Sequence, residues 1–382
     1  MKATIRAKFA ELFGQPGSLY SSPGRVNLIG EHTDYNLGFV LPGAIDKAIY
    51  MEIKANGSDC CRLFSIDYNE RVEFCVNDTE KPVQQWACYV FGVVKEMQKR
   101  GGDPGGFDCV FGGDVPLGAG LSSSAALEST TGFAVNETFG LGFSRLDLAK
   151  IGQMTEHNYV GVRCGIMDQF ASLFGEKGKL IRLDCRSLEY KLVPFNPVGY
   201  RVLLLDTQVK HSLASSEYNV RREQCEAGAA VVAGHVPGVE SLRDVTLDML
   251  EACKGEMDEV VYRRCHYIVT ENQRLLDACD ALERGDYEMF GQKMFGSHDG
   301  LSKEYEVSCP ELDFLAEKAR RFNGVLGARM MGGGFGGCTI NVIRESVYDA
   351  FVAELSESYK QAFGIAPRVI DVVIGDGARE IE

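Results

Sequence analysis

The chain has 382 residues, of which 45% are hydrophobic and 25% charged. At about 150 residues per domain this predicts roughly two domains with full cores, and it excludes a disordered or collagen-like chain. With 40 Lys and Arg against 54 Asp and Glu, the net charge is −14, which argues against nucleic acid and anionic membranes as partners, since both recruit cationic surfaces.

In chain order, the first segment, MKATIRAKFAELFG, has basic residues but no continuous apolar region, and it carries Glu11. It predicts a short amphipathic helix rather than a signal peptide. Next, Pro23–Tyr35 (PGRVNLIGEHTDY) crowds Arg25, Glu31, His32 and Asp34 into one stretch. A His and two carboxylates at this spacing can ligate a metal, but no H-E-x-x-H companion supports that. The same groups suit a polyol, because carboxylates accept hydrogen bonds from vicinal hydroxyls and His can do either. Taken alone, a solvated loop also accounts for the cluster. Ala48–Lys54 and Arg71–Val76 follow as strands, with β-branched and aromatic residues between turn signals.

Asp114–Glu128 reads DVPLGAGLSSSAALE. Gly118 and Gly120 allow a sharp turn or a close backbone approach to a ligand. Ser122–Ser124 sit where a helix begins, the favoured place for caps, and the free N–H groups there form an anion site. A capped helix after a turn is the alternative. The stretch is neither a Walker A loop nor a Rossmann fingerprint, since no G-x-x-x-x-G-K-[ST] occurs and Ser123 stands where the third glycine belongs. No H-R-D or D-F-G of the protein kinases occurs either.

Helices are predicted at Leu121–Glu137, Ser144–His157, Ser216–Val232 and Val260–Glu283, with Ser144 as an N-cap. Glu156 falls at the end of the second. In GIMDQ, Asp168 stands among Ile166, Met167 and Phe170. Desolvation there raises a carboxyl pKa and poises it as a base, whereas a nearby Arg pulls the other way. Phe195–Tyr200 (FNPVGY) interrupts two strand-like runs and is the candidate domain boundary; the same composition also makes an inter-strand loop. Val202–Leu205 is strand-sized, and no run approaches the 18 or so residues of a membrane span. In Met330–Cys338 (MMGGGFGGC) the glycines formally match G-x-G-x-x-G, but the following TINVI is strand-like. That context predicts a tight loop approached closely by either a substrate or another chain segment. The mixture of elements points to an α+β or α/β protein. The 13 cysteines include adjacent Cys60 and Cys61 but no C-x-x-C pair. Unpatterned thiols suit a reducing compartment, as small buried apolar groups, and a soluble cytoplasmic protein is expected.

Taken together these strings resemble the galactokinase family, part of the small-molecule kinase superfamily that also contains homoserine, mevalonate and phosphomevalonate kinases. PGRVNLIGEHTDYN at Pro23–Asn36 resembles the family signature. VPLGAGLSSSAALE at Val115–Glu128 resembles the superfamily ATP loop, and GGGFGGC at Gly332–Cys338 its third motif. CGIMDQ (Cys164–Gln169), LDCRS (Leu183–Ser187) and SEYNVRREQCE (Ser216–Glu226) also fit. The motifs run through nearly the whole chain in the family's order.

The resemblance implies an α+β fold of two lobes. Residues 1–198 would form an N-terminal lobe with a ribosomal-protein-like ββαβ element, and 199–382 a ferredoxin-like C-terminal lobe, with the site between them. It implies MgATP-dependent phosphorylation of α-D-galactose at the anomeric hydroxyl by a monomer. Gly118, Ala119, Gly120, Leu121, Ser122, Ser123 and Ser124 would hold the ATP phosphates, and Ser65 would touch the nucleotide. Ser124 and Glu156 would hold Mg²⁺. Glu31, His32, Thr33, Asp34, Gly165, Asp168 and Tyr218 would contact the sugar. Asp168 would be the base and Arg25 its partner. Sister kinases for N-acetylgalactosamine or arabinose are the near alternative. A non-catalytic sugar and ATP sensor is disfavoured by the intact Gly120–Ala126.

Overall fold

In the strand Phe107–Gly113, Phe107, Cys109 and Phe111 enter one core and Val110 another. This period of two makes the strand central in a sheet covered on both faces. The computed structural model describes residues 1–116, 118–195, 197–209 and 214–381. Leu117 of the ATP-loop motif and Asn196 of the candidate boundary lie outside the described residues, as does the Ser216 side chain.

The larger sheet has six strands in the order β13 (Arg379–Ile381), β1 (Ser18–Asn27), β3 (Pro42–Ala55), β6 (Phe107–Gly113), β4 (Cys60–Ser65) and β5 (Glu70–Cys75). Its neighbours are antiparallel except β4 and β6. Parallel neighbours need a crossover, supplied here by β5 and helix α2 (Gln85–Lys99), so β4–β5–α2–β6 is a ββαβ unit. Helices α3 (Ser123–Phe139), α4 (Arg145–Thr155) and α5 (Met167–Phe174) join α2 in covering one face. On the other, α1 (Lys2–Phe13) buries Ile5 and Phe9 against Leu19, Phe64 and Val110. A three-stranded sheet, β2 (Phe39–Val40), β7 (Lys179–Asp184) and β8 (Tyr190–Pro194), lies alongside.

The second large sheet is antiparallel, in the order β10 (Val325–Met330), β11 (Cys338–Arg344), β9 (Tyr200–Asp206) and β12 (Arg368–Val372). Helices α6 (Ala214–His235), α7 (Leu247–Ala252), α8 (Glu259–Glu283), α9 (Tyr287–Lys303) and α10 (Pro310–Arg321) intervene between β9 and β10, and α11 (Tyr348–Phe363) between β11 and β12. Strand and helix order together are those of a split βαβ, ferredoxin-like unit. Leu203 and Leu205 face Leu315, Phe351 and Leu355, whereas Val202 and Leu204 join the main core. That core is continuous with the first sheet, and β13 pairs back onto β1 through Leu19 and Ile381.

The expected helices and the Arg71–Val76 strand fall within three residues of those observed, whereas the strand expected at Ala48–Lys54 begins six residues earlier, at Pro42. The Ser144 cap is a full capping box with Asp147. α4 continues into a π-helical turn, Glu156–Val160, a distortion often found at functional sites. Two cysteines depart from the expectation of separate thiols. Cys60 faces Cys75 across the β4–β5 pair and the two are joined as a disulfide. The others are free, and most are buried as expected. Among the described residues, no helix is long and apolar enough to cross a membrane.

Candidate active site

β1 ends at Asn27, and the segment after it is buried through Asp34 rather than solvated. That overturns the loop reading. Buried charges demand partners, and each carboxylate here has one or shows the effect of lacking it. Glu31 Oε2 accepts from Arg329 Nη2 at 2.6 Å and from Gly332 N at 3.0 Å. Arg329 is itself fully buried and also donates to the Asn27 and Leu28 carbonyls. His32 sits in the left-handed region at φ 62°. Its Nδ1 meets Tyr35 Oη at 2.7 Å, and the Tyr218 and Tyr305 rings pack against it. Burial, with help from Arg221 and Arg329, lowers its pKa to about 3, so the imidazole is neutral, with one donor and one acceptor. Asp34 is pushed up to about 7, first by burial and then by the charge of Asp168.

Arg25 leaves the same strand. Its Nε donates to Asp168 Oδ1 at 2.9 Å and its Nη2 to Oδ2 at 3.2 Å, while Nη1 donates to Gly120 O at 2.6 Å. Such a planar fork fixes both position and orientation of a carboxylate. Asp168 opens α5, half-exposed beside nearly buried Arg25.

The Gly118–Gly120 turn leads into α3, with both glycines at positive φ (75° and 74°). Ser122 stands at the N-cap, yet its hydroxyl caps no helix N–H; it hydrogen-bonds Asp168 Oδ2. The first-turn N–H groups of α3 therefore stay available to an anion. Ser124, one residue into the helix, lines the same cavity as Glu156, and its hydroxyl favours the ionised form of that carboxyl. Burial still pushes the Glu156 carboxyl up to about 7, with Asp168 adding to the effect.

A cavity of 260 Å³ gathers Arg25, Glu31, His32, Asp34, Ser124, Glu156, Gly165, Asp168 and Tyr218. Residues from five distant stretches of sequence thus converge. Gly165 is required there, because a Cβ would lie 2.0 Å from Asp34 Oδ2. Other expected residues lie outside the lining. The Thr33 hydroxyl reaches the carbonyls of Gly30 and Phe39 and closes its own loop. Ser65 is buried at the end of β4, where its Oγ accepts from Tyr68 N, beside the stacked Tyr68 and Trp86 rings. Gly118, Ala119, Gly120, Leu121, Ser122 and Ser123 form the turn and helix start next to the cavity. The second glycine cluster meets both a chain segment and the cavity: Gly332 packs on Gly120, and Gly332 and Gly333 line the cavity.

Arg329, Tyr89 and Gln169 were not legible as site residues. A lone Arg inside the strand-like VLGARM was the only signal for the first. A larger cavity, 600 Å³, lies between α8, α9 and the 242–248 segment. Its Arg274 and Lys293 are already paired with Glu271 and Asp277, and none of the motif residues lines it, so size does not mark the chemistry.

Three family models match: the galactokinase galactose-binding signature over residues 7–55, the GHMP kinases N terminal domain over 88–176, and the GHMP kinases C terminal over 278–361. The chain is 41% identical to a galactokinase of Thermosipho africanus, covering 94% of this chain and 99% of that one. It is 42% identical to a galactokinase of Thermotoga maritima, with the same coverage. The crystal structure of Lactococcus lactis galactokinase complexed with galactose superposes with a TM-score of 0.96 at 35% identity, covering all of both chains. Methanococcus jannaschii mevalonate kinase, at TM-score 0.67 and 18% identity over 94% of this chain and 99% of that one, shares the fold. The chain belongs to the galactokinase family of the GHMP kinases.

Proposed function

We propose that the chain transfers the γ-phosphoryl group of ATP to the anomeric hydroxyl of α-D-galactose, giving galactose 1-phosphate and ADP. The observation that carries this is the Arg25 bridge, in which one guanidinium joins Asp168 to Gly120 of the phosphate loop. A proton acceptor and a phosphate cradle are thereby held in fixed relation, and phosphoryl transfer is mostly positioning and charge stabilisation.

In this reading Glu31, His32, Asp34 and Tyr218 bind the sugar, with Gly165 leaving room for Asp34. Thr33 acts through the shape of the loop. Asp168 accepts the hydroxyl proton, an effect worth about 10²–10⁴-fold. Arg25 holds that carboxylate in line and stabilises the charge that develops as the hydroxyl attacks. The first turn of α3 receives the phosphates, which meets the difficulty of an anionic substrate on a chain of charge −14. Ser65 lies on the nucleotide side.

Ser124 and Glu156 would hold Mg²⁺. A hydroxyl and a carboxylate lining the same cavity are the hard oxygen ligands that such an ion takes. Bound there, the ion neutralises phosphate charge. Residues 1–198 and 199–382 are the two lobes of this reading, working as a monomer in the cytoplasm.

The test is ADP release from MgATP with galactose, N-acetylgalactosamine, arabinose, glucose and mevalonate. Turnover with galactose is expected. Turnover confined to another member of the panel overturns the substrate.

A further inference from the structure

The loop that carries Glu31, His32 and Asp34 is conformationally costly. His32 (φ 62°) and Leu37 (φ 58°) are both left-handed without being glycine. Such backbone persists only where its surroundings over-determine it. The loop's own bonds, from Thr33 to Gly30 and Phe39, cannot fix it against the rest of the protein.

Arg329 and Gly332 hold the Glu31 side chain and Cys185 N donates to Gly38 O, and three further anchors on the loop backbone come from one helix of the other half of the chain. Tyr267 Oη donates to Glu31 O at 3.0 Å. Gly30 N donates to Glu271 Oε1 at 3.0 Å. Phe39 N donates to Asn272 Oδ1 at 2.9 Å. Positions 267 and 271 stack one turn apart on α8, 272 follows round the helix, and the three grip both ends of the loop. Tyr267 and Glu271 are fully buried and Asn272 is nearly so. The Glu271 carboxylate is further met by Ser297 Oγ at 2.6 Å and by Arg274. A buried carboxylate is expensive without such partners.

The packing is built for these contacts. A Cβ on Gly30 would lie 2.3 Å from Leu275 Cδ1, and one on Gly38 would lie 2.3 Å from Asn272 Oδ1. A Cβ on Gly300 of α9 would press on the Tyr267 ring at 2.7 Å. Glycines at both ends of the loop and behind the tyrosine thus clear space for the α8 side chains.

We propose that Tyr267, Glu271 and Asn272 are positioning residues for sugar recognition: a clamp on α8 that holds the 30–39 loop in its strained form and so aims Glu31, His32 and Asp34. This rests on the reading of that loop as the sugar-binding one. None of the three lines the 260 Å³ cavity, so their effect passes through the backbone they hold.

The test compares wild type with Tyr267→Phe, which deletes one hydroxyl, and with Glu271→Gln, which keeps the shape. KM for galactose, KM for ATP, kcat, thermal midpoint and amide exchange across 28–40 are measured. Loss of one such hydrogen bond is expected to raise the sugar KM about three- to tenfold. The KM for ATP should stay within about twofold, and exchange at Gly30 and Phe39 should quicken. If Glu271→Gln fails to fold, Tyr267→Phe decides. Should the wild type turn over galactose while Tyr267→Phe leaves the sugar KM unchanged, or shifts both KM values equally, the clamp is overturned. Should the wild type not turn over galactose, the substrate reading fails separately. Unchanged exchange at Gly30 and Phe39 in Tyr267→Phe then overturns the clamp, and faster exchange upholds it.

Discussion

Arg25 grips both carboxylate oxygens of Asp168, at 2.9 and 3.2 Å, and spends its remaining terminal nitrogen on Gly120 O at 2.6 Å. The proton acceptor is therefore registered against the phosphate loop by one rigid plane. Arg25→Lys keeps the charge but loses the fork. Its kcat is expected to fall by about 10²-fold or more while the sugar KM changes less than about threefold. Steady-state kinetics check this, and an unchanged kcat removes Arg25 from the mechanism.

Ser124 and Glu156 line the same cavity, and the Ser124 hydroxyl favours the ionised Glu156 carboxyl. Ser124→Ala is expected to raise the Mg²⁺ concentration needed for half-maximal rate several-fold, at nearly constant galactose affinity. Titrating Mg²⁺ at saturating sugar, alongside sugar binding measured calorimetrically, separates the two. A change in sugar affinity alone moves Ser124 out of the metal site.

Gly165 has no space for a side chain, because a Cβ would lie 2.0 Å from Asp34 Oδ2 and 2.7 Å from Asp34 Cβ. Gly165→Ala must displace Asp34 or its own backbone. The expected outcome is a galactose KM raised at least about tenfold, with stability lowered by about 1–3 kcal/mol as in other overpacked sites. Wild-type KM in this variant dissociates Asp34 from the sugar.

Asp34 supplies a pH test of sign as well as size. Its carboxyl is pushed up from 3.8 to about 7 in the folded chain. Between those values the folded state holds a proton that the unfolded state has released. Asp34 therefore contributes stability that is full below 3.8 and is lost as the pH climbs through about 7. Asp34→Asn mimics the protonated form. It should match the wild type only below about pH 4, and its advantage should grow up to about pH 7, by roughly 1.4 kcal/mol per pH unit. Thermal midpoints of the ligand-free protein across that range check this. A gap that is constant with pH contradicts it.

The local chemistry of these parts was legible in sequence because it is carried by short contiguous strings. GLSSSAALE announces a turn, hydroxyls and a helix start, and Ser144 announces an N-cap. Ranges such as Val260–Glu283 then follow from periodicity, and the observed α8 differs by one residue. Pairings across the chain were not legible. Arg329 is 298 positions from the Glu31 it neutralises, and nothing local marks it. The burial of Pro23–Tyr35 was missed for the same reason: its charged residues look solvated until their partners are known. Ser122 read as a cap, but its hydroxyl turns to Asp168, a residue 46 positions away. The Cys60–Cys75 disulfide depends on hairpin register, which neighbouring residues do not reveal.

The most direct measurement is phosphorus and proton NMR of a galactose and MgATP reaction, run with wild type and with Asp168→Asn. Wild type should give galactose phosphorylated at the anomeric position. Asp168→Asn should still bind galactose but turn over at least about 10²-fold more slowly. Phosphorylation at another hydroxyl, or near-wild-type turnover by Asp168→Asn, contradicts the account.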